Sequence, residues 1–176
     1  MLTGRSICLV PLDVDDITND YVDWFNDPDT FRFLGSKFGQ TRTSVRKYVE
    51  RLQAPNMICK ILAKPDFKHI GNIAMSGFDP VNRRVELGIV IGAKDMRGKG
   101  VGKEACSLLI QFGFDHLNIH KFTAGTVAPN VGMKKVFLDL GFDIEGTFVQ
   151  HYFLEGQYLD YFQFGLIREK FKPASA

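Results

Sequence analysis

Gly98, Gly100 and Gly102 fall within five residues, after the apolar run 85–91 and before a stretch whose Val101, Ala105, Leu108, Leu109 and Phe112 recur at helical spacing. A strand that enters such a loop and leaves as a helix presents the first-turn backbone N–H groups with few side chains in the way. That is a seat for an anion, and Arg97, Lys99 and Lys103 add positive charge around it. The pattern commits the chain to a sheet with a helix packed on it and to a phosphate-bearing ligand.

Two familiar phosphate loops do not fit. A Walker A loop places four residues between its first glycine and the Gly-Lys pair and then needs Ser or Thr for magnesium. Here five residues separate Gly92 from Gly98-Lys99, and Gly100 follows. A dinucleotide fingerprint can be laid on Gly100-x-Gly102-x-x-Ala105, but it needs an acidic residue closing the next strand, and 121–127 contains none.

The remaining periodicities surround this unit with more strands and helices. Strand composition marks 7–12, Met57–Ala63, 69–77, Arg84–Ile91, Lys121–Val127, 142–153 and 157–166. Ile17, Tyr21, Trp24 and Phe25 share one helical face, which Asp27-Pro28 breaks. Val45, Tyr48, Val49 and Leu52 share another, after a cap at Thr41 or Thr43. Asn130 opens a last helix carrying Met133, Val136, Phe137 and Leu140, with Gly141 placed to stop it. The expected order is β-α-α-β-β-β-α-β-α-β-β in one domain over 1–172, with 173–176 a flexible tail.

Composition narrows the partners. Hydrophobic residues are 45% and charged residues 24% of 176, ordinary for a globular chain. No apolar run approaches the ~18–20 residues of a membrane span, and the apolar stretch 7–12 contains Pro11 and meets Asp13, unlike a cleaved leader. Cytoplasm is the expected location. Three cysteines without a CxxC pair argue against a disulfide framework and a zinc site, and His116 and His120 have no acidic residue between them, so no metal is expected. A net charge of +2 does not announce nucleic acid, although seven aspartates lie between Asp13 and Asp29 and six basic residues between Arg32 and Arg51.

Arg97-x-x-Gly100-x-Gly102, taken with Val85-Glu86-Leu87-Gly88, Asn118-Ile119-His120-Lys121, Asn130, Leu140-Gly141-Phe142 and Glu145-Gly146, closely resembles the GNAT superfamily of N-acetyltransferases, in the subgroup acting on ribosomal-protein N-termini, spermidine and amino sugars. The resemblance covers nearly the whole chain. It implies an α+β fold of three layers, with a mixed, mostly antiparallel central sheet of about seven strands flanked by four helices, and acetyl-CoA as co-substrate. It further implies that strands 86–91 and 121–127 splay apart, with the pantetheine arm between them bonded near Ile89 and Ile91. Gly98, Lys99, Gly100, Val101, Gly102 and Lys103 would hold the pyrophosphate, Asn130 would touch the pantetheine, and the first two helices would build the acceptor pocket.

The chemistry is attack by a neutral amine on a thioester, which needs a proton acceptor, an oxyanion donor and a pocket. Glu86 is the expected base; a salt bridge to Arg83 or Arg84 is its structural alternative. By resemblance the Val90 N–H is the oxyanion donor. Many members have a tyrosine and a serine where this chain has Phe137 and Met133; Tyr152, Tyr158 or His151 of the last hairpin could substitute as the acid, with an ordinary packed aromatic as the alternative, favoured role of each. A thiol is a fairly good leaving group, with a pKa near ~8.5, and a dedicated acid is not obligatory.

Similarity of 21–27 and 68–73 to enzymes of surface-polysaccharide synthesis points to a nucleotide-linked amino sugar as acceptor, with Trp24 and Phe25 in the pocket. The alternatives are a polyamine such as spermidine, suggested by His151 and Tyr152 within 151–158, a protein N-terminal amine, or a non-catalytic acyl-CoA-binding module. A homodimer is left open.

Overall fold

The computed structural model describes residues 1–34 and 39–174. Eight strands form one sheet: β1 (Leu2–Thr3), β2 (Ile7–Pro11), β3 (Met57–Ala63), β4 (Lys68–Asp79), β5 (Arg84–Ile91), β6 (Lys121–Val127), β7 (Asp143–Leu154) and β8 (Gln157–Ile167). Their spatial order is β1-β2-β3-β4-β5-β6-β8-β7, antiparallel at every described pairing except β5 with β6. The helices are α1 (Asn19–Trp24), α2 (Pro28–Phe31), α3 (Arg42–Arg51), α4 (Val101–His116) and α5 (Val131–Asp139).

The strand alternation sorts side chains into two cores, one on each side of the sheet. Val85 and Leu87 of β5 point toward α4 and α5, joining Leu109, Phe122, Phe137 and Phe164. Val90 of β5, with Ala74 and Ile58 of the neighbouring strands, points the other way, onto Tyr21 and Phe25 of the α1 segment and Val45 and Val49 of α3. This is the three-layer α+β arrangement expected.

Two elements exceed the seven strands and four helices expected. The pair Leu2–Thr3 adds an edge strand against Leu9 and Cys8. Asp27-Pro28 does end α1, but Pro28 then occupies the first turn of α2, where a missing N–H costs nothing. Within the stretch 173–176, the Ala174 N–H donates to Ser107 Oγ on α4 at 2.8 Å. Ser175 and Ala176 lie outside the described residues, as does Lys37 of the basic block. Among the described residues no helix is long and apolar enough to cross a membrane.

The aspartate block is mostly spent on local structure. Asp13 caps a 3-10 turn at Val14–Asp16, Asp16 pairs with Lys60 at 2.6 Å, and Asp27 and Asp29 both hold Lys94, at 2.7 and 3.0 Å. Trp24 packs across Gly92 at the end of β5, with His69 and Tyr21 against its ring at centroid distances of 5.0 and 5.5 Å. A Cβ at position 92 would overlap the indole near its stem, where the ring cannot swing clear. Gly92→Ala therefore destabilises the fold by about 1–3 kcal/mol, the usual cost of overpacking. Urea unfolding followed by fluorescence of Trp24, the chain's single tryptophan, checks this; an unchanged midpoint would refute the packing argument.

Candidate active site

β5 and β6 pair only at Arg84–Lys121, Val85–Phe122 and Glu86–Thr123, then separate. β4 keeps pairing with β5 as far as Ile91, and β8 keeps pairing with β6 as far as Val127. The sheet is thus split from Leu87 and Ala124 onward, and the expected splay is present.

The alternation of backbone groups along β5 shows which of them face the split. Gly92 donates its N–H to Ile70 O of β4 at 2.9 Å, and the Val90 carbonyl lies against Gly71 of β4. Residues 86, 88, 90 and 92 therefore turn both backbone groups to β4. The odd residues face β6: Thr123 Oγ1 donates to Val85 O at 3.2 Å, and Arg97 Nε donates to Ile91 O at 3.0 Å. The ladder with β6 closes at Glu86, so the N–H groups of Ile89 and Ile91 are the ones left in the split. The Val90 N–H, expected as oxyanion donor, faces β4 instead.

A cleft of about 610 Å³ opens from this split. Ile89, Val90 and Ile91 line one wall, Arg97, Gly98, Gly100, Val101, Gly102 and Lys103 the head of α4, and Asn130, Met133 and Val136 the start of α5. Lys99 stands exposed beside them. Gly98 and Gly100 hold left-handed φ values of 73° and 82°, and Gly100 caps α4 without a side chain. The first intrahelical donor of α4 is the Glu104 N–H, to Gly100 O, so the amides of Val101, Gly102 and Lys103 remain for a ligand.

Two expected contacts are modified. Arg97 does not offer its charge to the glycine loop: its guanidinium turns inward to Ile91 O, Thr30 Oγ1 and Asp27, clamping α2 to the end of β5. Burial raises the Asp27 carboxyl pKa, but hydrogen bonds from Lys94 and Thr30 and the charges of Lys94 and Arg97 outweigh it and leave the pKa below the ordinary value. The positive charge near the loop comes from Lys99 and from Lys103, which shares Asp139 with Lys135. Asn130 uses its Oδ1 to cap α5 through the Met133 N–H at 3.2 Å, so of its side-chain amide only the N–H₂ is left available to a ligand.

On the opposite face, Glu86, Gly88 and Val90 project toward α1 and α3. Glu86 is exposed, and its structural alternative is not realised: Arg84 pairs with Asp79 at 3.1 Å and Arg83 donates to Asn118 at 3.0 Å. Two small cavities, about 280 and 270 Å³, run beside Val90 and Gly88 and share Tyr48 and Arg51 of α3. Phe25 lines the first of them, as expected of a pocket residue. Trp24 does not; its ring is committed to Gly92, Tyr21 and His69. Tyr48 and Arg51 were legible in the sequence only as a core face and a charge run.

The hairpin of β7 and β8 brings a third group. β7 bulges between Phe148 and Tyr152, with Gln150 at φ 50° and its N–H held by Asp160 Oδ1 at 2.9 Å. The bulge sets the His151 ring against Tyr161, centroids 6.0 Å apart. Tyr152 pairs with Leu159 and lies half-buried. Burial, and then the negative charge of Glu86, pushes the Tyr161 phenol pKa above its ordinary value. Phe137 is buried against Phe142 and Phe164 and does not line the cleft. Cys59 and Cys106 are pushed up by burial to about 11 and about 12, which leaves both thiols protonated and poor nucleophiles.

The Acetyltransferase (GNAT) domain family matches residues 6–143. The spermidine N(1)-acetyltransferase of Escherichia coli K12 is 28% identical over 56% of this chain, which spans about half (53%) of that protein's length. A probable N-acetyltransferase of Bacillus subtilis, YjcK, is 26% identical over 92% of this chain and 93% of its own. Among solved structures, spermidine N-acetyltransferase from Vibrio cholerae in complex with CoA and spermine superposes with a TM-score of 0.84 at 18% identity, covering 94% of this chain and 97% of that one. A GNAT family acetyltransferase from Bacillus anthracis gives 0.81 at 17%, covering 96% and 98%. These structures share the fold; with the family match over most of its length, the chain belongs to the GNAT acetyltransferases.

Proposed function

We propose that this protein is an N-acetyltransferase that moves the acetyl group of acetyl-CoA to a primary amine of a small molecule by direct attack. The observation that carries the reading is the split between β5 and β6, whose unpaired amides lead straight to the uncapped head of α4. A pantetheine arm bonded to the Ile89 carbonyl and the Ile91 N–H fits the first feature, and a diphosphate on the amides of 101–103 fits the second. The amide N–H₂ of Asn130 is placed to meet the arm from the other wall.

In this reading the amine approaches from the side of α1 and α3, where Glu86 takes a proton from it. The Ile89 N–H, the first unpaired amide beyond the ladder, takes the oxyanion role that the Val90 N–H is turned away from. The arrangement needs no covalent enzyme intermediate and no metal.

For the acceptor, a polyamine has the support of the relatives named for spermidine. A nucleotide-linked amino sugar has the support of Arg51, a cation in both small cavities beside β5, neither of which is lined by a carboxylate among the described residues. His151 and Tyr152 border the same face in either case. The reading places the enzyme in the cytoplasm, supported by three buried, unpaired cysteines. It also includes a homodimer, supported by the exposed Val149 and Phe153 of edge strand β7; light scattering of the full chain tests it.

Thiol release from acetyl-CoA across spermidine, spermine, nucleotide-linked amino sugars and N-terminal peptides decides the acceptor. A rise in melting temperature with CoA but no thiol release from any amine would reduce the protein to a binding module. Glu86→Gln is expected to slow the reaction at least tenfold at neutral pH, and an unchanged rate removes Glu86 from the mechanism. Gly100→Val places a branched side chain at a left-handed φ of 82° and is expected to weaken CoA binding at least fivefold by calorimetry. Equal affinity would show that the loop is not the diphosphate seat.

A further inference from the structure

The split between β5 and β6 has a residue from a third strand at its apex. Tyr161 of β8 stands opposite Val127 of β6, on the same face as Gly125, and its hydroxyl lies directly over Gly125. Any side chain at 125 would overlap the phenol oxygen, so the glycine there makes room for it. Thr123, two residues earlier on β6 and on the same face, is the last partner of Glu86. Glu86 and the Tyr161 hydroxyl therefore sit on one face of the sheet on either side of the point where the strands part. Among the described residues the Tyr161 hydroxyl has no hydrogen-bond partner; its ring contacts are Phe148 and His151. The β7 bulge, fixed by Asp160 and Gln150, holds those rings against it.

A partly buried hydroxyl held over a glycine of β6, with no partner among the described residues, is open to a group that enters the split from the side of α1 and α3. A proton donor to the sulfur would speed the reaction proposed above without being obligatory, and Phe137 of α5 is buried in the core and has no proton to give. We propose that the Tyr161 hydroxyl gives its proton to the departing thiolate.

The amine nitrogen forms the new C–N bond, and the C–S bond breaks with its electron pair passing to sulfur. Sulfur takes the Tyr161 proton and leaves as the thiol. The phenolate recovers a proton from Glu86, which removed one from the amine; water on the exposed face carries it. Atoms and charge balance, and both residues return to their starting states. The charged and titratable groups facing Tyr161 are Glu86 from β5 and His151 and Tyr152 from β7. Burial and the Glu86 charge both favour the protonated phenol, the form that can donate.

This assignment rests on the acetyl-transfer reading, and the test separates the two. With the full chain and the amine found active in the thiol-release screen, Tyr161→Phe is expected to lower kcat at least tenfold, while CoA affinity stays within twofold and the melting temperature is unchanged. Replacing residue 161 alone with 3,5-difluorotyrosine keeps the ring and lowers the phenol pKa. The alkaline limb of kcat should then move to lower pH by about the same amount, which a packing role would not produce. A Phe variant with kcat within twofold of the parent, or an alkaline limb that fluorination does not move, overturns the assignment while leaving acetyl transfer standing. No thiol release from any amine by the unmodified protein overturns both. If the Phe variant fails to fold, the fluorinated chain decides alone.

Discussion

Everything in the active cleft depends on β5 and β6 being neighbours that cannot remain paired. Their parallel ladder ends after Glu86 and Thr123, because from there β5 follows the twist of β4 while β6 is drawn into its long antiparallel ladder with β8. Amides left in such a gap must find partners in water or in a ligand, since a buried backbone N–H without one costs free energy comparable to a lost hydrogen bond. The split is therefore a strand-shaped vacancy with bonding groups at fixed spacing. The uncapped head of α4 lies at its open end and extends it with a seat for anions.

Small residues bring large ones to the edges of that vacancy. Gly92 admits the Trp24 ring at the far end of β5, and Gly125 admits the Tyr161 hydroxyl on β6. The first contact is structural and ties α1 to the sheet. The second puts a polar atom at the apex. Electrostatics divide in the same manner. Asp27 consumes Lys94 and Arg97 to fasten the α2 segment, whereas Lys99 is exposed beside the loop. A charged residue within a binding motif can thus serve the scaffold, and the backbone of the same motif the ligand.

Much of this was legible in the residues. The bounds of β3, β5 and β6 follow from runs of apolar and β-branched residues between turn-forming ones, and the Asn130 cap and a threonine cap for α3, Thr41 of the two candidates Thr41 and Thr43, follow from the hydrogen-bonding reach of their side chains. The glycine loop ahead of α4 follows from the same local chemistry. Glu86 could be placed on the face opposite Val85 and Leu87 by period alone. What escaped was anything that depended on a partner distant in sequence. Arg97 reads as a phosphate ligand until Thr30 and Asp27 are seen beside it, and Val90 reads as a donor until its strand partner is known. Tyr161 carries no signal within the last hairpin, since its position over Gly125 needs β8 to lie beside β6 and the β7 bulge to press on it.

The sequence by itself determined roughly where most helices and strands lie, though neither the edge strand β1 nor α2, and which face of each is apolar, because these depend on backbone preferences and periodicities spanning a few residues. The tertiary structure alone decided which strands pair and where the pairing stops, and so which amides stay unsatisfied. It also decided which side chains meet across the split. Those outcomes are set by contacts between segments tens of residues apart, where many pairings satisfy the same local pattern and packing of the whole sheet selects one.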